Sequence, residues 1–265
     1  MPVSAQGTSF TLSGPEGAPV VALIHGLGLT SNSTWGQIAP VLADEFRVLS
    51  YDLCGHGKTA LPDHQPSLTV LSEQLITLMD ELSIAKAALV GFSLGGMINR
   101  RMAIDHPDRV SALAILNSPH ERGPAQQKLV EERARDTSAG GPAAGIDVTL
   151  ARWFTSEFRH EHPDKVAQIR NVVLANHPVN YAAHRLVLAQ GVVELIRPDP
   201  PINHPTLVMT CENDSGSTPA MTQAIAAEIN GGEAHIVPSL QHLGLIENPD
   251  SFSNPIINFL RRKIG

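Results

Sequence analysis

Six short apolar runs constrain this chain more than any other feature. Val20–Gly26, Phe46–Asp52, Ala87–Phe92, Ala112–Asn117, Pro205–Cys211 and Glu233–Ser239 are six or seven residues each, rich in Val, Ile, Leu and Ala. Most lack the alternation of a sheet with one wet face, so they read as strands buried on both sides, parallel and covered by helices. Longer amphipathic stretches separate them. Leu71, Leu75, Leu78, Met79 and Leu82 recur with a period near 3.6, with Ser67 or Thr69 placed to cap a helix. Pro219 stands at a helix entry, where a missing N–H costs little. The last amphipathic stretch, Asn248–Ile264, carries Arg261, Arg262 and Lys263 in its final turn, and its internal Pro255 is expected to weaken the first turns. The interval from Pro119 to Pro205 contains helical patterns and no clear strand, interrupted early by T-S-A-G-G-P-A-A-G. It reads as a helical insertion between two strands of one sheet.

The bulk numbers exclude several classes of function. At 265 residues, with 42% hydrophobic and 17% charged residues, the chain suits one large α/β domain with an insertion. Its net charge of −7 and the lack of any Lys/Arg block argue against nucleic acid and anionic membrane as partners. No apolar run approaches the roughly 18 residues of a membrane helix. The N-terminal stretch lacks the basic-then-apolar pattern of a signal peptide. Two cysteines, Cys54 and Cys211, make no disulfide framework, and a reduced, cytoplasmic setting is the expectation.

Chemistry concentrates at G-F-S-L-G, Gly91–Gly95. A Gly-x-Ser-x-Gly match alone is weak, but here a predicted strand precedes Ser93 and a helix of about Leu94–Asp105 follows. That strand–turn–helix setting is what a nucleophile elbow requires. The plain alternative is a serine capping a helix in a Gly-rich turn. A serine nucleophile needs a base and an orienting acid, which this architecture supplies in the chain order Ser, Asp or Glu, His. Glu212 and Asp214 follow the Pro205–Cys211 run, and Asp214 is the better placed in the turn. Downstream lie His235, inside a predicted strand, and His242, in the loop beyond it. A loop histidine can reach over the sheet edge, so His242 is the expected base. Oxyanion donors are expected from the backbone N–H groups of Leu94, after the nucleophile, and Leu27, in the H-G-L-G stretch after the first run. His25 is expected to shape that stretch, and His56 the turn of G-H-G.

H-G-L-G, Y-D-L-C-G-H-G-K-T, G-F-S-L-G-G-M-I, H-P-D-R-V-S-A-L-A-I-L-N, E-N-D-S-G-S-T-P and Q-H-L-G-L-I-E-N-P follow one another in the order and spacing of the α/β-hydrolase family. The chain resembles that family over nearly its whole length, and within it the 3-oxoadipate enol-lactonases and related small ester or lactone hydrolases. Cys54 departs from the arginine usual in that family's Y-D-L-R-G-H-G. The resemblance implies a mostly parallel eight-stranded sheet with helices on both faces and no metal or organic cofactor. It also implies a core domain of residues 1–121 and 198–265 with a helical cap over 122–197.

Several further positions merit weighing. Trp153 is a candidate substrate contact, with cap packing the equal alternative. His120 follows a strand end and could meet a substrate carboxylate; Arg122 and Arg185 could do the same, although surface charge is the readier account of each arginine. His160-Glu161-His162 has a metal-like look but lacks a third ligand at a convincing spacing. The expectation is a serine hydrolase for a small carboxylic ester or lactone acting through Ser93, His242 and Asp214, with a homo-oligomer compatible. A carbon–carbon bond hydrolase using the same residues and a non-turnover small-molecule receptor on the same fold are the competing readings.

Overall fold

The computed structural model describes residues 1–61, 64–136 and 138–265. Its sheet has seven strands: β1 (Phe10–Ser13), β2 (Val20–Ile24), β3 (Arg47–Tyr51), β4 (Ala87–Phe92), β5 (Val110–Leu116), β6 (Thr206–Cys211) and β7 (Glu233–Val237). Their spatial order is β1-β3-β2-β4-β5-β6-β7. β1 pairs antiparallel with β3, and every other pairing is parallel. The six apolar runs are β2 to β7. In the central strands the burial is two-sided, as continuous apolar runs require: Val21, Ala22, Leu23 and Ile24 are all 0% exposed.

Among the described residues an eighth strand does not form. At the N-terminus the backbone pairs only through an isolated antiparallel bridge between Val3 and Ser9. The turn between them is closed by Ser4 and Thr8, with Gly7 in left-handed conformation, so too little chain remains for a ladder. β1 itself was not among the expected runs, being a four-residue edge strand in which only Phe10 is buried.

The helices are α1 (Ser31–Trp35), α2 (Ala39–Leu42), α3 (Leu68–Glu81), α4 (Leu94–Asp105), α5 (Pro124–Asp136), α6 (Ile146–Trp153), α7 (Ser156–Glu161), α8 (Pro163–Leu174), α9 (Pro178–Gln190), α10 (Pro219–Glu228), α11 (Gly244–Glu247) and α12 (Asp250–Ile264). Ser67 caps α3 by accepting from the Val70 N–H at 3.1 Å, and Thr218 caps α10 ahead of Pro219. Pro255 does not spoil the first turns of α12, because Phe252 and Ile256 on either side of it are both 0% exposed and their packing outweighs one lost hydrogen bond. Thr137, which opens the expected Gly-rich break, lies outside the described residues. No helix among the described residues is long and apolar enough to cross a membrane.

Helices α5 to α9 all come from the segment between β5 and β6. That segment sits on the loops at the C-terminal ends of the strands and is tied to them by polar side chains. Asn176 Nδ2 donates to the Gly28 carbonyl at 2.9 Å, and Asn180 Nδ2 to the Gly55 carbonyl at 2.8 Å. The His184 ring meets His56 edge-on at 4.8 Å between centroids, and His56 meets His25 at 5.3 Å. Each of these buried rings is fixed as a neutral imidazole by one donated and one accepted bond. His25 gives Nδ1–H to the Gly26 carbonyl and takes the Leu53 N–H; His56 gives Nδ1–H to the Cys54 carbonyl and takes the Gly28 N–H. His184 gives Nδ1–H to Asn180 and faces the Cys54 thiol. Burial disfavours their charged forms: His25 is held down at about 4, and His56 and His184 also lie below the ordinary histidine range.

The tightest approach in the fold is at the β4–α4 turn. A methyl on Gly95 would collide with the Ile24 carbonyl oxygen, and one on Gly91 with the Gly95 carbonyl. Gly95→Ala should therefore cost about 3 kcal/mol, lowering Tm by roughly 6–12 °C for a chain of this size; an unchanged melting curve would refute the packing argument. The buried histidines make a second expectation. The unfolded chain binds protons below about pH 6.5 that the folded chain refuses until about pH 4. Stability should hold above pH 6.5 and decline as the pH falls through that window, with a shallower decline in His184→Gln. Melting temperatures between pH 7.5 and 4.5 measure both.

Candidate active site

Ser93 is the single residue between β4 and α4, and it makes the turn at φ 55°, ψ −111°. That is left-handed backbone on a side chain with a Cβ, a conformation costing about 1–3 kcal/mol unless the surroundings enforce it. They do. The Ser93 N–H donates to the Leu116 carbonyl at 2.8 Å and its carbonyl accepts from Gly96 at 3.0 Å. The hydroxyl caps nothing in α4, which removes the plain helix-cap account of this serine.

Asp214 follows β6 and is 3% exposed. Its Oδ1 accepts the N–H groups of Gly216 (2.9 Å) and Ser217 (3.0 Å), while Oδ2 accepts Asn117 Nδ2 (2.9 Å) and His242 Nδ1–H (2.7 Å). Burial alone would push this carboxyl up. His242, Asn117 and Ser217 outweigh it and hold Asp214 below the usual carboxylate range, so it is an anion. Its bond to Nδ1 assigns the proton there and leaves Nε2 of His242 as an acceptor. The imidazole lies near Phe92, at 5.0 Å between ring centroids, and Trp153, at 6.2 Å.

Ser93, Asp214 and His242 all line one cavity of about 900 Å³. The Ser93 hydroxyl makes no hydrogen bond to the imidazole in this state; such bonds commonly tighten only when substrate arrives. Leu27 also lines the cavity. Its N–H and that of Leu94 are accepted by no group among the described residues. The Leu94 side chain is fully buried away from the cavity, so only its backbone bears on the site.

The other expected positions divide. Trp153 and His120 line the cavity, as do Arg122 and Arg185. His120 is not free to meet a ligand with Nε2, which pairs with Glu228 at 3.0 Å. His235 lies exposed on the edge strand β7, outside the cavity, and Glu212 accepts the Ser239 N–H at 2.8 Å, holding the turn after β7. His162 packs against Phe158 at 4.7 Å between centroids. Cys54 and Cys211 belong to strands separated by β2, β4 and β5. Desolvation pushes these thiols up to about 11 and about 12, so neither is an activated nucleophile.

Sequence reasoning missed three contributors. Asn117 holds Asp214 from the end of β5 at φ 46°, and an asparagine closing a strand run was a usable hint, since Asn tolerates left-handed backbone. Asn176 and Tyr181, which grip Gly28 from α8's end and α9, had no local signal. A methyl on Gly28 would stand 2.7 Å from the Tyr181 ring, so glycine is needed there for the contact as well as for its φ of +73°.

Comparison with known proteins agrees with this architecture. The family described as alpha/beta hydrolase fold matches residues 19–249. The (E)-2-((N-methylformamido)methylene)succinate hydrolase of Acinetobacter baylyi is 29% identical over 239 residues, 89% of this chain and 87% of that protein. The same organism's 3-oxoadipate enol-lactonase 2 is 26% identical over 256 residues, 96% of this chain and 93% of its own length. Among solved structures, the enol-lactonase of Burkholderia xenovorans superposes with a TM-score of 0.85 at 29% identity, covering 96% of both chains. Family match, fold and cavity agree: this chain belongs to the alpha/beta hydrolase fold family and is a hydrolase.

Proposed function

We propose that the protein hydrolyses a small carboxylic ester or lactone, with Ser93 as nucleophile, His242 as general base and Asp214 as its orienting carboxylate. The observation that carries this reading is the pair of buried Asp214 and half-buried His242, at 2.7 Å, opening onto the same cavity as a serine held in strained left-handed backbone. The names of the relatives, an enol-lactonase among them, support an acyl centre as the point of attack.

In this mechanism Ser93 Oγ attacks the carbonyl carbon as Nε2 of His242 takes its proton. Asp214 keeps the imidazole oriented and stabilises the imidazolium. The free N–H groups of Leu27 and Leu94 receive the developing oxyanion. His242 then gives its proton to the leaving oxygen, opening the lactone or releasing the alcohol. Water attacks the acyl-enzyme with His242 again as base and restores Ser93. Residues 122–197 act as a cap over the cavity, with Trp153 walling the acyl pocket beside His242.

With a 4-nitrophenyl ester as substrate, Ser93→Ala should lower kcat by roughly 10⁴- to 10⁶-fold with little change in KM. Rapid mixing and mass spectrometry of the wild type should trap an acyl group on Ser93. Undiminished turnover by Ser93→Ala would sink the assignment.

A further inference from the structure

The bond to Asp214 fixes the His242 ring at one point, Nδ1, and leaves the direction of Nε2 to the backbone that carries the ring. That backbone has two anchors. One is Gly244, which opens α11 so close to the end of β6 that a methyl in its place would stand 2.6 Å from Cys211 Sγ. The other is the Leu243 N–H, one residue after the imidazole, which donates to the Trp153 carbonyl at 2.8 Å. Leu243 is 0% exposed, so losing that acceptor would leave a buried donor unpaired.

Trp153 ends α6, and the chain runs on through the buried Phe154 to Thr155, which caps α7 by accepting the Phe158 N–H at 3.2 Å. Thr155 is itself fastened to Glu247, the last residue of α11, 92 positions away. Its N–H donates to Glu247 Oε1 at 2.8 Å and its hydroxyl to Oε2 at 2.6 Å. Bonds to a carboxylate at these lengths are among the stronger neutral-donor contacts a protein makes. Among the described residues no other donor meets either oxygen, so the side chain serves this one contact. Leu243 with Trp153 and Glu247 with Thr155 are two separate attachments between the same two pieces of chain. Together they remove the freedom to pivot that either alone would leave.

We infer that Glu247 and Thr155 are positioning residues for His242. By fastening the Trp153–Thr155 turn to α11 they keep the Leu243 N–H on the Trp153 carbonyl, and so hold the imidazole at the angle from which Nε2 serves Ser93. The base is aimed only while the end of α6 is seated on its loop, which ties turnover to the docking of the helical segment between β5 and β6. The turnover test of this inference rests on the hydrolase reading of Ser93 and His242; its exchange test does not.

With a 4-nitrophenyl ester, Glu247→Ala should lower kcat by about 10- to 100-fold and leave KM within about 3-fold, because a misdirected base acts poorly on substrate that binds as before. Thr155→Val should show a smaller loss of the same kind, and it serves alone if Glu247→Ala does not fold. Thr155→Ser, which keeps the hydroxyl, and Glu247→Gln, which keeps an acceptor, should recover most of the rate. The Thr155→Val/Glu247→Ala double variant should be no slower than Glu247→Ala, since both changes remove one contact. Wild-type kcat in Glu247→Ala, a rise in KM with kcat unchanged, or losses that multiply in the double variant would overturn the inference. Amide hydrogen exchange supplies the independent arm. The Leu243 N–H should exchange about 10-fold or more faster in Glu247→Ala, while the Ser93 N–H, bonded to the Leu116 carbonyl, keeps its wild-type rate. Equal quickening at both amides reports a general loosening and overturns the inference, as does an unchanged rate at Leu243. If the wild type hydrolyses no ester but Leu243 alone quickens, the fastening of the loop stands and the serine-hydrolase reading fails.

Discussion

A carboxylate can stay ionised in a protein interior only if its oxygens are fully occupied, and the arrangement around Asp214 follows from that demand. Four donors from three parts of the chain meet it: Asn117 at the end of β5, Gly216 and Ser217 in the turn after β6, and His242 beyond β7. Each donor is useful only if its strand end is in register with the others. The parallel order β4-β5-β6-β7 brings those ends to one edge of the sheet. Removing the histidine or the asparagine would leave a buried charge short of a partner, so the network fixes the imidazole as firmly as it satisfies the acid.

The helical segment between β5 and β6 works on the same edge from above. It holds the Gly28 carbonyl through Asn176 and the Gly55 carbonyl through Asn180. It also fastens the loop of His242, through the Leu243 N–H to the Trp153 carbonyl at 2.8 Å and through Thr155 to both oxygens of Glu247. These bonds are short and mostly sheltered, and they make the position of Leu27 and of His242 depend on helices distant in sequence. Below them, the buried Arg100 braces the other side, donating to the Pro119 carbonyl at 2.7 Å and to the Gly96 carbonyl at 3.1 Å. The cavity is therefore framed by fixed loops.

Much of this was legible beforehand because it is local. Continuous apolar runs announced parallel strands, and glycines on either side of Ser93 announced a turn in which helix and strand nearly touch. Place in the turn favoured Asp214 over Glu212, and a loop setting favoured His242 over the strand residue His235; the first of each pair lines the cavity and the second does not. Strand number was overestimated, since a single bridge between Val3 and Ser9 depends on a turn too tight to extend. The arginines posed a different problem. Surface charge is the ordinary fate of Arg122 and Arg185, and nothing in their neighbourhoods along the chain tells which wall a helix turns inward.

What the sequence by itself determined is the backbone scheme and the candidates for the reacting groups: both are encoded in short stretches whose periodicity, glycines and chain order act over a few residues. Only the tertiary structure decided which polar groups face one another. Asn117 on Asp214, Asn176 on Gly28 and His184 on His56 join positions far apart in the chain. Their meeting is set by how helices and strand ends pack, because a hydrogen bond or a charge acts over a few ångströms of space and is indifferent to separation along the sequence.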